Sequence, residues 1–152
     1  MTKLAIVSGG FDPLHAGHVE MINRASRIVG NGGGVIVILN RDDYLIKKKG
    51  KPFMQFFERK IILENLKNVD LVIKPSDKDD TVIETLKSLA ELAGNDYKLF
   101  FCQGGDRNYD ESNLANTPEH DVCKELGIET VYGLGDKVQS SSWLIKNSRK
   151  ID

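Results

Sequence analysis

Two histidines near the amino terminus have the types and the spacing to bind a phosphate group. His15 and His18 are three residues apart, with Gly17 between them. An apolar run at 4–7 is typical of a buried strand, and apolar residues recur at helical spacing over 19–29. The histidines therefore fall where a helix begins, and free N–H groups and the positive end of the helix dipole favour an anion there.

A zinc site is the alternative for the two imidazoles. It would require further Cys or His ligands at regular spacing. Cys102, His120 and Cys123 are scattered along the chain and do not provide that spacing. We therefore favour the phosphate interpretation and predict no metal ligands.

The stretch 8–18 as a whole resembles the GxFDxxHxGH signature of the nucleotidyltransferase superfamily, which includes cytidylyltransferases and small adenylyltransferases. The residues that match it are Gly9, Phe11, Asp12, His15, Gly17 and His18. The resemblance implies that the two histidines are catalytic and that the other four residues, with Gly10, bind the nucleotide. Gly9 and Gly10 also suit this role by themselves, because glycine permits unusual backbone conformations and the close approach of a ligand.

Length and composition favour a single domain over the whole chain, 1–152. The 152 residues can bury a core, and 40% hydrophobic and 28% charged content is ordinary for a soluble globular protein. A net charge of -1 offers no general attraction to nucleic acid or to a membrane surface. No apolar run nears the ~20 residues that span a bilayer, and no signal segment precedes the first strand, so a cytoplasmic location is expected. The two cysteines fit reduced thiols.

Five apolar runs alternate with helical patterns along the chain. The strands are predicted at 4–7, 35–39, 69–73, 97–102 and 128–132, and the helices at 19–29, 54–66, 82–93 and 118–126, with a terminal helix near 140. This alternation predicts an α/β, Rossmann-like, doubly wound five-stranded parallel sheet with helices on both faces. Ligands of such sheets bind beyond the carboxyl ends of the strands, so the loops at those ends should converge on one site.

The helix at 54–66 is predicted to be amphipathic. The apolar positions that we expect to face the core are Phe57, Ile61, Ile62 and Leu66. Arg59 and Lys60 then fall on the polar side of the helix.

Four lysines follow the second strand, on a segment predicted to be a flexible loop. They are Lys47, Lys48, Lys49 and Lys51. A solvated basic loop is the alternative, but at this end of the sheet the ammonium groups could close over a triphosphate as mobile point charges.

The same segment carries a second resemblance to the superfamily. Its members have a strand followed by Asn-x-Asp, a basic loop with Lys-Gly and a downstream acidic-Arg pair, which here are 40–42, 49–50 and 58–59. The resemblance implies that Lys49 is catalytic and that Lys51 binds phosphate. Lys48 is the other candidate for the family lysine.

The fourth strand is followed directly by Gln103, two glycines, Asp106 and Arg107. On its own this sequence is compatible with a tight turn that carries a surface ion pair. At this position it resembles the Gly-Gly-Asp or Gly-Asp-Asp element of the superfamily. The resemblance implies that Asp106 contacts a ribose or substrate hydroxyl and that Arg107 binds a phosphate.

Three serines, Ser140, Ser141 and Ser142, precede the terminal helix. Serine is a good helix N-cap, and an N-cap with spare polar residues is the alternative to a ligand site. The run resembles the second signature of the superfamily, usually Ile-Ser-Thr-Thr or Ile-Ser-Ser-Thr, with Gln139 in place of the aliphatic residue. This resemblance implies that the hydroxyl and N–H groups bind phosphate oxygens.

The histidine, lysine and serine side chains described above suit attack by an acceptor phosphate on the α-phosphorus of a nucleoside triphosphate. The nucleophile is already ionised near neutral pH, so the reaction needs alignment and charge stabilisation more than a strong base. We expect His15 and His18 to donate to α- and β-phosphate oxygens, and Lys49, Lys51 and the serines to hold the β- and γ-phosphates. Mg²⁺ is the expected cofactor.

The resemblance is closest to the cytidylyltransferase-like group that contains glycerol-3-phosphate cytidylyltransferases and heptose-phosphate adenylyltransferases. It implies transfer of CMP or AMP from an NTP to a sugar or polyol phosphate, with CTP and ATP both as candidates. Pantetheine-phosphate and NMN adenylyltransferases share the first motif and are the enzymatic alternative, and a nucleotide-binding module without turnover is the other. Relatives are often dimers or larger, so a homodimer is expected, without nucleic-acid or membrane partners.

Overall fold

A computed structural model describes residues 1–104, 112, 117–134 and 141–148, apart from the side chains of Ser142 and Trp143. The strands in these residues are β1 (Thr2–Gly9), β2 (Gly34–Leu39), β3 (Leu71–Ile73), β4 (Tyr97–Gly104) and β5 (Glu129–Leu134). The helices are α1 (Ala16–Val29), α2 (Asp42–Lys49), α3 (Phe56–Glu64), α4 (Ile83–Ala93), α5 (His120–Leu126) and α6 (Ser141–Ser148). None of these helices is long and apolar enough to cross a membrane.

The five strands form one parallel sheet in the order β3-β2-β1-β4-β5. α1 and α3 contribute Ile22 and Leu63 to the core on one face of the sheet. α4 and α5 contribute Leu86 and Cys123 to the core on the other face. The α/β fold with helices on both faces is therefore confirmed.

The strand order determines where a ligand can bind. β1 lies between β2 and β4, so the chain builds outward from β1 to β3 and then returns to the other side of β1. Ligand crevices in such sheets open at the carboxyl ends of the strands where the order reverses. The turn after β1 and the end of β4 share this edge.

The lysine-rich segment after β2 is helical over most of its length, and the prediction of a flexible loop is wrong there. α2 carries Asp42 and Asp43 in its first turn and the lysines 47–49 in its last. This distribution complements the helix dipole at both ends. Leu45 is the one buried residue of α2, so the segment has little apolar periodicity by which to identify a helix.

α3 turns a different face inward from the one predicted. Phe57, Ile61 and Ile62 are exposed by 57%, 55% and 39%, whereas Arg59 and Leu63 are buried. The guanidinium of Arg59 donates hydrogen bonds to main-chain carbonyl groups at the edge of the sheet. An aliphatic side chain could not satisfy these carbonyl groups, so the arginine takes the inward position.

Both cysteines are free, buried thiols. Cys102 lies in the core on the α1 face of the sheet, and Cys123 lies in the core on the opposite face. Burial raises the pKa of each thiol to about 12, so both stay protonated at neutral pH. The prediction of reduced thiols is confirmed for these residues.

Paired alanine substitutions test the orientation of α3. Leu63→Ala removes a side chain that is 0% exposed and should lower the free energy of unfolding by about 2–5 kcal/mol. Ile61→Ala, on the same helix, changes a residue that is 55% exposed and should cost less than ~1 kcal/mol. Urea denaturation measures both losses, and equal losses would contradict the orientation.

Candidate active site

α1 begins with two histidines that cap its first turn. His15 is the N-cap residue, and its Nδ1 accepts a hydrogen bond from the Gly17 N–H at 3.1 Å. The Nδ1 of His18 accepts from the His15 N–H at 3.2 Å, and the two rings stack with their centroids 3.7 Å apart. This is a capping box in which imidazole nitrogens replace the usual hydroxyl and carboxylate. The N–H groups of His15 and Gly17 are thus satisfied within the protein, and the rings offer further donors to an anion.

Both imidazoles are mainly neutral at neutral pH. Burial lowers the pKa of His18 to about 3, with a smaller contribution from the neighbouring His15. Burial also lowers the pKa of His15. One nitrogen of a neutral imidazole donates and the other accepts, and because Nδ1 accepts in both rings, Nε2 carries the proton. The pair therefore offers two N–H donors without positive charge.

Phe11 supports the His18 ring from the turn before α1. It has a φ of 49°, which is uncommon for a residue with a side chain and strains the backbone. Its side chain is buried, and its ring centroid lies 4.7 Å from that of His18. The expected contact between Phe11 and nucleotide stays a prediction, whereas its support of the imidazole is a feature of the fold.

Gly9 and Gly10 are closely packed by neighbouring side chains and do not adopt a left-handed conformation. Neither has a φ in the left-handed region, which Phe11 adopts in this turn. A Cβ on Gly10 would lie 2.9 Å from Cδ2 of Leu45, and a Cβ on Gly9 would lie 3.2 Å from the Phe11 ring. The expectation of a special conformation is therefore wrong, and the absence of side chains lets Leu45 of α2 and Phe11 close onto the turn.

Asp12 connects the turn to the segment between α2 and α3. Its side chain is 1% exposed, and its carboxylate accepts from the N–H groups of Phe53 and Met54, each at 2.6 Å. The ammonium of Lys49 lies 3.0 Å from this carboxylate and donates to the Asp12 carbonyl at 2.6 Å. A buried carboxylate needs such donors to offset its lost hydration. The contact between Asp12 and nucleotide stays a prediction.

Among the three lysines that end α2, Lys49 contacts the turn. Lys47 forms an exposed pair with Asp80 at 3.0 Å, and Nζ of Lys48 lies 5.9 Å from the ring of Tyr44. The Lys49 side chain is 24% exposed, so its charge stands at the rim of the site. Lys51 is exposed and follows on the segment that Asp12 holds. The assignment of the family lysine to Lys49 or Lys48 stays a prediction.

Arg59, predicted to lie on the polar side of its helix, is fully buried. Its Nη1 donates to the carbonyl of Gly10 at 2.9 Å and to that of Asn40 at 2.8 Å. Its Nε donates to the carbonyl of Met54 at 3.0 Å, and its Nη2 donates to the carboxylate of Asp42 at 2.7 Å. The signal for this residue in the sequence was its place in the downstream acidic-Arg pair.

The start of α6 reaches the same turn. The hydroxyl of Ser141 donates to the Pro13 carbonyl at 2.8 Å, a contact between residues 128 positions apart. The loops at the carboxyl ends of the strands are expected to converge, and this hydrogen bond joins the segment after β5 to the turn after β1. Residues assigned from the sequence that lie outside the described part are Asp106, Arg107, Ser140 and the side chain of Ser142, and their roles stay predictions.

The described side chains can be compared with the ligands that the expected Mg²⁺ prefers. Across residues 1–104, 112, 117–134 and 141–148, no three His, Cys, Asp or Glu side chains form a metal-binding group. Mg²⁺ usually keeps several waters and binds through substrate phosphates and one or two carboxylates. These residues therefore fit an ion that arrives with a triphosphate better than an ion held by the protein alone.

Comparison with known proteins gives a match over most of the chain. A family model described as cytidylyltransferase-like matches residues 6–148. The FAD synthase of Korarchaeum cryptofilum is 31% identical over 144 residues, which cover 93% of this chain and 89% of that protein. The glycerol-3-phosphate cytidylyltransferase of Bacillus subtilis is 35% identical over 71 residues, 47% of this chain and 53% of that protein.

A solved structure supports the fold. The lipopolysaccharide core biosynthesis protein from Thermoplasma volcanium superposes with a TM-score of 0.59 and 22% identity. The superposition covers 86% of this chain and 93% of that one. The likeness therefore extends over nearly the whole of that structure.

The neutral histidine pair predicts a specific loss of stability in acid. Burial lowers the pKa of His18 from 6.5 in the unfolded chain to about 3 in the native protein. Between these values the unfolded chain binds the proton and the native protein does not, so the free energy of unfolding should fall as the pH drops. His18→Gln removes this contribution, and its unfolding free energy should fall less steeply between pH 7 and pH 5. Urea denaturation in buffers without phosphate measures both slopes. Equal slopes in that interval would contradict a neutral His18.

Proposed function

The chain belongs to the cytidylyltransferase-like family of nucleotidyltransferases, and from this premise we propose that it transfers CMP or AMP from an NTP to a small phosphorylated acceptor, with release of pyrophosphate. The favoured acceptor is a sugar or polyol phosphate. The observation that carries the proposal is the histidine pair at the start of α1, because both Nδ1 atoms accept backbone hydrogen bonds and leave the Nε2–H groups as donors.

The histidines act on the phosphates at the reacting centre. The acceptor phosphate attacks the α-phosphorus, and the bond from that phosphorus to the bridging oxygen of the departing pyrophosphate breaks. His15 and His18 donate to α- and β-phosphate oxygens, where negative charge grows. Donors fixed in place before the reaction stabilise this charge without reorganising, and the capping hydrogen bonds fix both rings.

Charged groups hold the rest of the triphosphate. Lys49, Lys51 and the serines 140–142 bind the β- and γ-phosphates, and Asp106 and Arg107 bind a substrate hydroxyl and a phosphate. The contact of Lys49 with Asp12 and that of Ser141 with Pro13 support this arrangement, since both residues lie against the turn that precedes the histidines. Mg²⁺ bound with the triphosphate would neutralise part of the negative charge on the phosphate oxygens.

A second acceptor class is favoured by one relative. The FAD synthase of Korarchaeum cryptofilum matches 93% of this chain, and FAD consists of AMP joined to a flavin mononucleotide. Adenylyl transfer to a flavin phosphate is therefore the second candidate. It uses the same attack by an acceptor phosphate and the same phosphate ligands.

Pyrophosphate release tests the proposed function. The protein, Mg²⁺ and either CTP or ATP are combined with glycerol 3-phosphate, a heptose phosphate, FMN, phosphopantetheine or NMN. We expect release with one nucleotide and one acceptor class, and a fall in kcat of roughly 100-fold or more in His18→Ala, which removes the N–H donor. Nucleotide binding without release across the panel would identify a binding module. Normal turnover in folded His18→Ala would exclude the histidine from the mechanism.

Two lysine substitutions test the position of the charge at the rim. Lys49→Ala removes the ammonium beside Asp12 and should raise the KM for NTP by about 10-fold or more, since a charge-assisted hydrogen bond is lost. Lys47→Ala makes the same change in net charge at a lysine paired with Asp80 and should leave the KM within about 2-fold. Steady-state kinetics with each variant measure the effect. Equal effects would assign it to net charge rather than to position.

A further inference from the structure

We propose that Arg59 is a positioning residue for the phosphate-binding edge. The proposal rests on the proposed function, since it concerns how that site is held in shape. The Arg59 side chain is 0% exposed, so it does not contact a substrate. It acts through the chain segments that its guanidinium joins.

Four residues from three segments of the chain meet at this guanidinium. Gly10 belongs to the turn before the histidines, and Asn40 follows the end of β2. Asp42 is in the first turn of α2. Met54 is in the segment that follows the lysines. The bonds therefore set the distance between the turn that carries His15 and the segment that carries Lys51.

The N–H and the carbonyl of Met54 are each held by a hydrogen bond to a buried side chain. The carbonyl of Met54 accepts from Nε of Arg59 at 3.0 Å, and its N–H donates to the buried carboxylate of Asp12 at 2.6 Å. Asp12 also holds the ammonium of Lys49. A shift of Met54 would therefore displace the Asp12 carboxylate, and with it the ammonium of Lys49.

This role requires an arginine rather than a positive charge alone. Guanidinium has five N–H donors in a planar fork, and three of its nitrogens bind different partners in this protein. An ammonium has three donors on a single atom and cannot serve all four partners, which are bound by three different nitrogens of the guanidinium. Arg59→Lys would keep the buried charge and leave at least one carbonyl group unsatisfied.

Arg59→Lys is the test variant, and Arg24→Lys is the matched control, because Arg24 pairs with Glu20 on the half-exposed side of α1. Arg59→Lys should lower kcat by roughly 10- to 100-fold, since small displacements from the aligned geometry are costly in rate. It should also speed hydrogen exchange at the Phe53 and Met54 amides. A lower melting temperature with kcat of the folded enzyme and this exchange unchanged would show a purely structural role and overturn the proposal.

A second variant keeps the proposal testable if Arg59→Lys does not fold. Asp42→Asn removes the charged partner of Nη2 while the three carbonyl bonds remain. It should lower kcat in the same direction by a smaller factor and speed exchange at the same amides. Asp43→Asn is its control, because the Asp43 side chain is 72% exposed and pairs with Arg41. Identical kcat and exchange in Asp42→Asn and Asp43→Asn would overturn the proposal.

Binding of inorganic tripolyphosphate separates this proposal from the proposed reaction. We expect the wild-type protein to bind it and Arg59→Lys to bind about 10-fold or more weakly, as measured by calorimetry. That result without pyrophosphate release on any acceptor would support the positioning role and contradict the reaction. Equal affinity in the two proteins, or no binding by the wild type, would overturn the positioning role.

Discussion

Two buried ionised side chains at the carboxyl edge of the sheet constrain everything around them. A charge taken out of water is costly unless hydrogen bonds or an opposite charge replace its hydration. Asp12 receives two backbone amides and an ammonium, and Arg59 donates to three carbonyl groups and a carboxylate. None of the segments that supply these partners can move away without leaving a buried polar group unpaired. The fold of this edge therefore depends on these charges as well as on the apolar packing of Phe11 and Leu45.

The start of α1 adds a second constraint, which acts on the protonation state of His15 and His18. Each histidine uses Nδ1 to accept a backbone N–H, so the helix cap fixes the tautomer and the ring orientation together. Protonating either ring would remove an acceptor that the cap needs, and burial opposes it as well. Hydrogen-bond donation and positive charge thus come from different residues. In the proposed reaction, neutral imidazole donors face the reacting phosphates, and positive charge is supplied by lysines at the rim.

The sheet could be predicted from the sequence because its three inner strands contain continuous apolar runs. β2 is buried at every residue, and such continuous runs indicate a strand covered on both faces. α2 was missed because its single buried residue, Leu45, gives no period. The inward face of α3 was predicted wrongly because hydrophobic periodicity counts an arginine as a surface residue. The partners that bury Arg59 are carbonyl groups at Gly10 and Asn40, far away in the sequence and invisible to a local pattern.

The proposed reaction separates the groups that bind phosphate from the groups that recognise the base and the acceptor. In that proposal, imidazole N–H groups and ammonium groups bind the phosphates of any nucleotide, whereas discrimination between bases or acceptors requires donors and acceptors placed against their own polar groups. The contacts at Asp12, Arg59 and the histidines are all made within the protein, so they place no demand on the base or the acceptor. A change of substrate can then leave the buried charges untouched. This accounts for a chain whose relatives include both an FAD synthase and a glycerol-3-phosphate cytidylyltransferase.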